Sequence, residues 1–192
     1  LKKYNFIYII NMNNYYIALE GIIYTLFIEY FIDGVITKLN IKDNSKYFLL
    51  HFIFNMFIMF LTYTDSYFCL LNPLNNYDKK FVYSGIFTTG CISGFHIYHM
   101  IFYKIRDIEE WIHHIVSCLV VPFIGVTIPF GYGLSLCNFI MCGLPGGVDY
   151  LLLFLVKYNI IKKMTEKNIN RFLNLFIRYP MFYLTCYILL VN

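Results

Sequence analysis

Between Glu110 and Asp149 the chain carries no Asp, Glu, Lys or Arg. At roughly 20 residues per crossing, that is enough for two passes through a bilayer core. Similar runs recur along the 192 residues, and the charged punctuation between them marks spans near 15–36, 47–70, 81–103, 112–131, 133–156 and 172–191. The connectors are short: "TKLNIKDNSK", "NPLNNYDKK", "KIRDIEE" and "KYNIIKKMTEKNINR". The expected fold is therefore all-α, a polytopic membrane helical bundle of six transmembrane helices, or seven if the Pro-interrupted 112–156 region divides differently. Composition agrees, with 59% hydrophobic and 14% charged residues and a mean hydropathy of +0.61. A soluble domain of this size cannot bury so much apolar surface, because its core is limited by volume.

The net charge of +4 comes from the connectors, with no basic patch interleaved with exposed aromatics, so nucleic acid is not an expected partner. The expected partners are the lipid bilayer and a lipid substrate. Six cysteines form no C-x-x-C pair and lie mostly in apolar runs, where they pack as small hydrophobes. No disulfide and no structural zinc are expected. Residues 1–14 are read as an N-terminal extension, with Met12 a reasonable start, and 15–192 as one transmembrane domain. "KKYNFIYII" is not read as a signal peptide, since no small-residue cleavage site follows it.

Cytoplasmic connectors collect lysine and arginine. The first, third and fifth connectors hold Lys38, Lys42, Lys46, Lys104, Arg106, Lys157, Lys162, Lys163, Lys167 and Arg171, against Lys2, Lys3, Lys79 and Lys80 on the other side. With that orientation His51, His96, His99, His113 and His114, all five histidines of the chain, fall in the cytoplasmic half of the membrane. Asp149 lies about 12 Å inward from Lys157 on the same side, at 1.5 Å per helical residue, and Arg178 a comparable distance in from Arg171. Polar residues in a span are costly and tend to be functional, so this one-sidedness marks a candidate site.

Glu110, His113, His114 and Ser117 stand three or four residues apart, which puts at least one imidazole on a stripe with the carboxylate and the serine. A carboxylate that orients an imidazole is what a general base requires. "SGFHIYHMIFY" places Ser93, His96, His99 and Tyr103 roughly on one face. Its H-x-x-H spacing would suit a metal, completed by His113 and His114. A four-histidine site poor in carboxylates is an unusual donor set, and no metal is assigned. "NFIMCGLPGGVDYLLLFLVK" is expected to break a span at Gly143, Pro145, Gly146 and Gly147 before resuming at Asp149, whose natural partner is Arg178.

With these residues in order the chain resembles the TLC-domain family, which includes ceramide synthases, TRAM translocation proteins and several lipid-regulating membrane proteins. The resemblance covers residues 47 to 191. It rests on "GFHIYHMIFY", a short charged turn, the paired histidines of "WIHHI", the acidic residue ahead of lysine in "VDYLLLFLVK", and the arginine in "RFLNLFIRYP". His99 occupies the position of a family aspartate, and the family's acidic cluster is reduced to Asp149 after "GLPGG". The resemblance implies a helical barrel in which His113 and His114 help move an acyl group from acyl-CoA, a co-substrate rather than a bound cofactor, to a lipid amine.

The expected function is thus lipid metabolism in the endoplasmic reticulum or another internal membrane. In its enzymatic form it is acyl transfer to a lipid amine or hydroxyl. His113, His114 and Asp149 are the candidate catalytic residues, and His96, Tyr98, His99, Glu110 and Arg178 the candidate substrate-binding ones. The alternatives are a non-enzymatic lipid-binding or lipid-regulating protein, in which the polar cluster is internal hydrogen bonding, and a small transporter, which requires polar residues to continue to the opposite face.

Overall fold

A computed structural model describes residues 2–73, 81–104 and 107–191. Among these the chain is all helical, arranged as six rods: α1 (Lys2–Lys38), α2 (Asp43–Leu71), α3 (Tyr83–Phe102), α4 (Ile108–Thr127), α5 (Tyr132–Lys157) and α6 (Lys163–Leu190). Four of them, α2, α4, α5 and α6, are long and apolar enough to cross a membrane. Lys79, Lys80 and Arg106, which contribute to the expected charge asymmetry, lie outside the described residues. The last rod starts at Lys163, so much of the expected final connector is helical. "KMTEKNINRFL" alternates charge and apolar residues at helical spacing, and its polarity disguised it as a loop.

The central rod is α3, buried along most of its length from Gly85 to His99. Its small residues let α1 come unusually close. A Cβ on Gly94 would stand 2.7 Å from the Ile22 carbonyl oxygen, and Cβ atoms on Gly90 and Gly21 would collide with the carbonyls of Ala18 and Phe87. Small residues at four-residue spacing permit such backbone approach, which is a main source of helix association where lipid removes the hydrophobic drive. On its other side α3 packs through Phe54, Ile58, Ile92 and Phe95 against α2, where the Phe54 and Phe95 rings stack at 3.9 Å. Rod α5 closes the bundle against α2 and α3, and Leu136, Ile140 and Ile188 join it to α6.

Polar side chains tie the rods at both ends. At the histidine end Asp33 of α1 accepts from Tyr98 Oη at 2.7 Å and Tyr103 Oη at 3.1 Å, and pairs with Lys46 of α2 at 2.5 Å. Toward the other end Asp65 of α2 accepts from Ser84 of α3, and from Ser135 of α5 at 2.9 Å. Asn138 donates to the Gly85 carbonyl and to Thr88 and Thr89 at 2.9 Å each. A buried polar group without such a partner would cost several kcal/mol, so these ties fix register as well as stabilise.

Candidate functional site

The last three rods each contain one wide π-helical turn: Val116–Val120 in α4, Phe139–Gly143 in α5 and Asn174–Arg178 in α6. In each case a proline, Pro122, Pro145 or Pro180, stands two residues past the turn. A helical proline has no N–H to donate and its ring pushes against the carbonyl four residues back. Widening the preceding turn relieves both problems without ending the helix. The expected break near Pro145 is therefore a kink. The backbone departs from helical dihedrals at Gly143 (φ −61°, ψ −115°) and α5 continues directly through Leu144–Lys157.

All three π turns border one cavity of about 460 Å³. Its upper wall carries His51 and Asn55 from α2, His96 from α3, and His113 and Ser117 from α4. Asn138, Asp149 and Tyr150 reach it from α5, and Arg178 from α6. Between them lie apolar side chains, among them Phe54, Phe95, Met141 and Phe182. A void of this size with apolar walls and a few convergent polar groups has the character of a small-molecule site.

The hydrogen bonds assign the protons on the cavity's imidazoles. Nδ1 of His96 lies 2.7 Å from the carbonyl oxygen of Ile92, one turn back on α3. A carbonyl can only accept, so Nδ1 carries the proton, and neutral His96 turns a bare Nε2 toward α4. His113 Nε2 sits 3.2 Å from it and must donate, which leaves the lone pair of neutral His113 on Nδ1. His51 repeats the device: its Nδ1 donates to the Tyr47 carbonyl at 2.9 Å, leaving Nε2 bare, while its ring stacks on Tyr150 at 4.1 Å. The start of α4 is set by Asp107, whose side chain accepts from the Glu110 backbone N–H at 2.9 Å and so fixes where the second turn places His113 and His114.

Behind this wall the other two histidines complete a continuous imidazole cluster. His99 lies 4.3 Å from His51 and 6.3 Å from His114, centroid to centroid, and His114 lies 5.3 Å from His96. Both are 1% exposed and do not line the cavity. Neither ring nitrogen of His99, nor Nδ1 of His114, has a hydrogen-bond partner among the described residues. No group of three or more His, Cys, Asp and Glu side chains converges on a possible ion position among those residues.

On the far wall Asp149 and Arg178 share the cavity, yet no ion pair joins them among the described residues. Asp149 accepts instead from Asn170 Nδ2 at 2.7 Å, and Asn170 in turn accepts from Asn174 at 3.1 Å. The Arg178 Nε is buried without a partner.

Of the residues singled out from the sequence, His96, His113, Asp149 and Arg178 meet at the cavity. His114 and His99 stand behind it, Glu110 lies outside its lining, and Tyr98 turns away to bond Asp33. Asn55, Asn138 and Tyr150 were missed as site residues, and His51 was read only as a member of the histidine group, with no role assigned to it. His51 and Asn55, four apart on one span, gave a legible signal, since two polar residues on one face of an apolar helix need a common polar surrounding. No family model, no curated protein and no solved structure matches this chain.

Proposed function

We propose that the protein is a six-span membrane protein of TLC-like build that acts on lipid within the histidine-lined cavity, by acyl transfer from acyl-CoA to a lipid amine or hydroxyl. The observation that carries this reading is the pair His96–His113. His96, anchored to its own backbone, accepts from His113 Nε2 and so leaves His113 Nδ1 free as a base. That is the nucleophile-activating logic of an oriented imidazole. His113 Nδ1 takes the proton of the amine or hydroxyl as its heteroatom attacks the thioester carbonyl. The tetrahedral intermediate then collapses, breaking the C–S bond, and the departing thiolate recovers the proton from His113. The imidazolium formed in between is stabilised by its hydrogen bond to the neutral His96. Asp149 and Arg178 supply polar groups in the same cavity, and the apolar side chains accommodate the alkyl part of a substrate.

The site's position near the lysine-rich connectors suits delivery of a thioester from the cytoplasm, and an internal membrane such as the endoplasmic reticulum is the expected setting. The test is the lipid profile of cells expressing the wild-type chain or His113→Gln, with purified protein assayed for release of free thiol from a long-chain acyl-CoA. Loss of a lipid product and of thiol release at unchanged protein level supports the reading. An identical profile and identical thiol release for the variant refute it.

A transport reading has one observation in its favour. Polar groups continue beyond the cavity, from Asn138 through Thr88 to the Ser84 carbonyl, and from the Ser84 hydroxyl to Asp65. These groups are bonded to one another across α2, α3 and α5, which is what a helix tie needs and leaves few free groups to line a path. Solute flux in liposomes that is abolished by Asp65→Asn, without loss of folded protein, would favour transport over chemistry.

A further inference from the structure

Outside the cavity lining, on α6, Lys163, Lys167 and Arg171 recur every four residues, about 6 Å apart along one helical stripe. All three are exposed, and none has an ion-pair or side-chain hydrogen-bond partner among the described residues. Of the nearby carboxylates, Glu166 is 5% exposed and makes no ion pair among the described residues, and Asp149 is bonded to Asn170. Lys167 and Arg171, together with Glu166 and Asn170, line a groove of about 540 Å³ that runs down the same rod past Asn174 to Leu175 and Tyr179. Asn174 Oδ1 is buried beside it with no partner, an acceptor waiting next to two cations. Below the cations the surface becomes apolar, with Phe172, Leu175 and Phe176 exposed.

We infer that this groove seats an anionic phospholipid, its phosphate between Lys167 and Arg171 and one acyl chain along Leu175. Two unpaired cations at the top of a membrane-crossing rod match a lipid phosphate in charge and in depth. The apolar lower half of the groove distinguishes a lipid from a free phosphate, which would leave it exposed. Asn174 Oδ1 accepts a hydrogen bond from a headgroup N–H or hydroxyl. The inference rests on α6 crossing the membrane and is independent of the chemistry proposed for the cavity.

Native mass spectrometry of the whole protein, released from micelles holding equal phosphatidylserine and phosphatidylcholine, reads the retained lipid directly. The wild type is expected to keep phosphatidylserine preferentially. Lys167→Gln with Arg171→Gln is expected to lower that preference about thirtyfold, from about 1 kcal/mol per cation. The double variant Lys38→Gln with Lys42→Gln, which removes two exposed cations elsewhere, is expected to leave it unchanged. Equal preference in wild type and the α6 variant overturns the inference, and so does equal loss in the control variant. Glycerol 3-phosphate that displaces the retained lipid at matched concentration overturns the lipid assignment in favour of a phosphate site. Thiol release by the α6 variant should match wild type, so failure here and failure of the acyl-transfer reading are separable.

Discussion

His113 and His114 are neighbours in sequence and opposites in position, and separate replacement of each should give opposite results. His113 is exposed on the cavity side and makes one hydrogen bond, to His96. Its replacement by Ala removes an interaction worth about 0.5–1.5 kcal/mol, and the protein should remain folded. If His113 is the base, the same change should lower the rate of acyl transfer about 10²- to 10⁴-fold, equivalent to about 2.7–5.4 kcal/mol in the barrier. His114 is 1% exposed and packed among His96, His99 and His113. Its truncation leaves a void costing about 2–5 kcal/mol, offset by about 1–3 kcal/mol because Nδ1 no longer lies buried without a partner. The net loss should be about 1–2 kcal/mol, with activity falling only as folded protein falls. Thermal unfolding in detergent gives the stability arm, and thiol release per folded molecule the activity arm. Full activity in His113→Ala together with an inactive, fully stable His114→Ala would refute the assignment, because the reacting group would then be the one without access to the cavity.

Gly90→Leu should destabilise the α1–α3 contact by at least about 1–3 kcal/mol, since its Cβ meets the Ala18 backbone, whereas Gly34→Leu, with open space around it, should leave the unfolding temperature unchanged. Asn138→Leu should cost about 1–3 kcal/mol by stripping the amide from the Gly85 carbonyl and the Thr88 and Thr89 hydroxyls; an unfolding midpoint equal to wild type would count against the tie. Pro180→Ala removes the cause of the Asn174–Arg178 wide turn. If the turn relaxes to α-helical winding, Arg178 rotates by about 100°, one residue's worth, and a spin label or cysteine accessibility probe at position 178 should report its departure from the cavity; unchanged accessibility would mean the turn is held by packing instead.

How much of this was written in the sequence differs between fold and site for a physical reason. The rods were legible because lipid forbids unpaired backbone, so an apolar run of sufficient length has few structures open to it. The gathering of His51, His96, His99, His113 and His114 into one cluster was legible for a related reason, since charged connectors fix depth and depth brings residues at equal height within reach. Depth says nothing of azimuth, however. Helical spacing put His113 and His114 about 100° apart, and only the docking of α4 on α3 determines that His113 faces the cavity while His114 is enclosed. Tyr98 shows the same limit: one residue before His99, it is claimed by Asp33 of α1, a partner 65 positions away that no local pattern announces. Azimuth is also what the prolines control. Each of Pro122, Pro145 and Pro180 widens the turn before it, and each widened turn shifts the rod's face by about one residue beside the cavity. Ser117 and Arg178 lie within two of these wide turns and Asn138 directly before the third, so the winding there, which the apolar pattern does not encode, sets the azimuth at which each side chain meets the cavity.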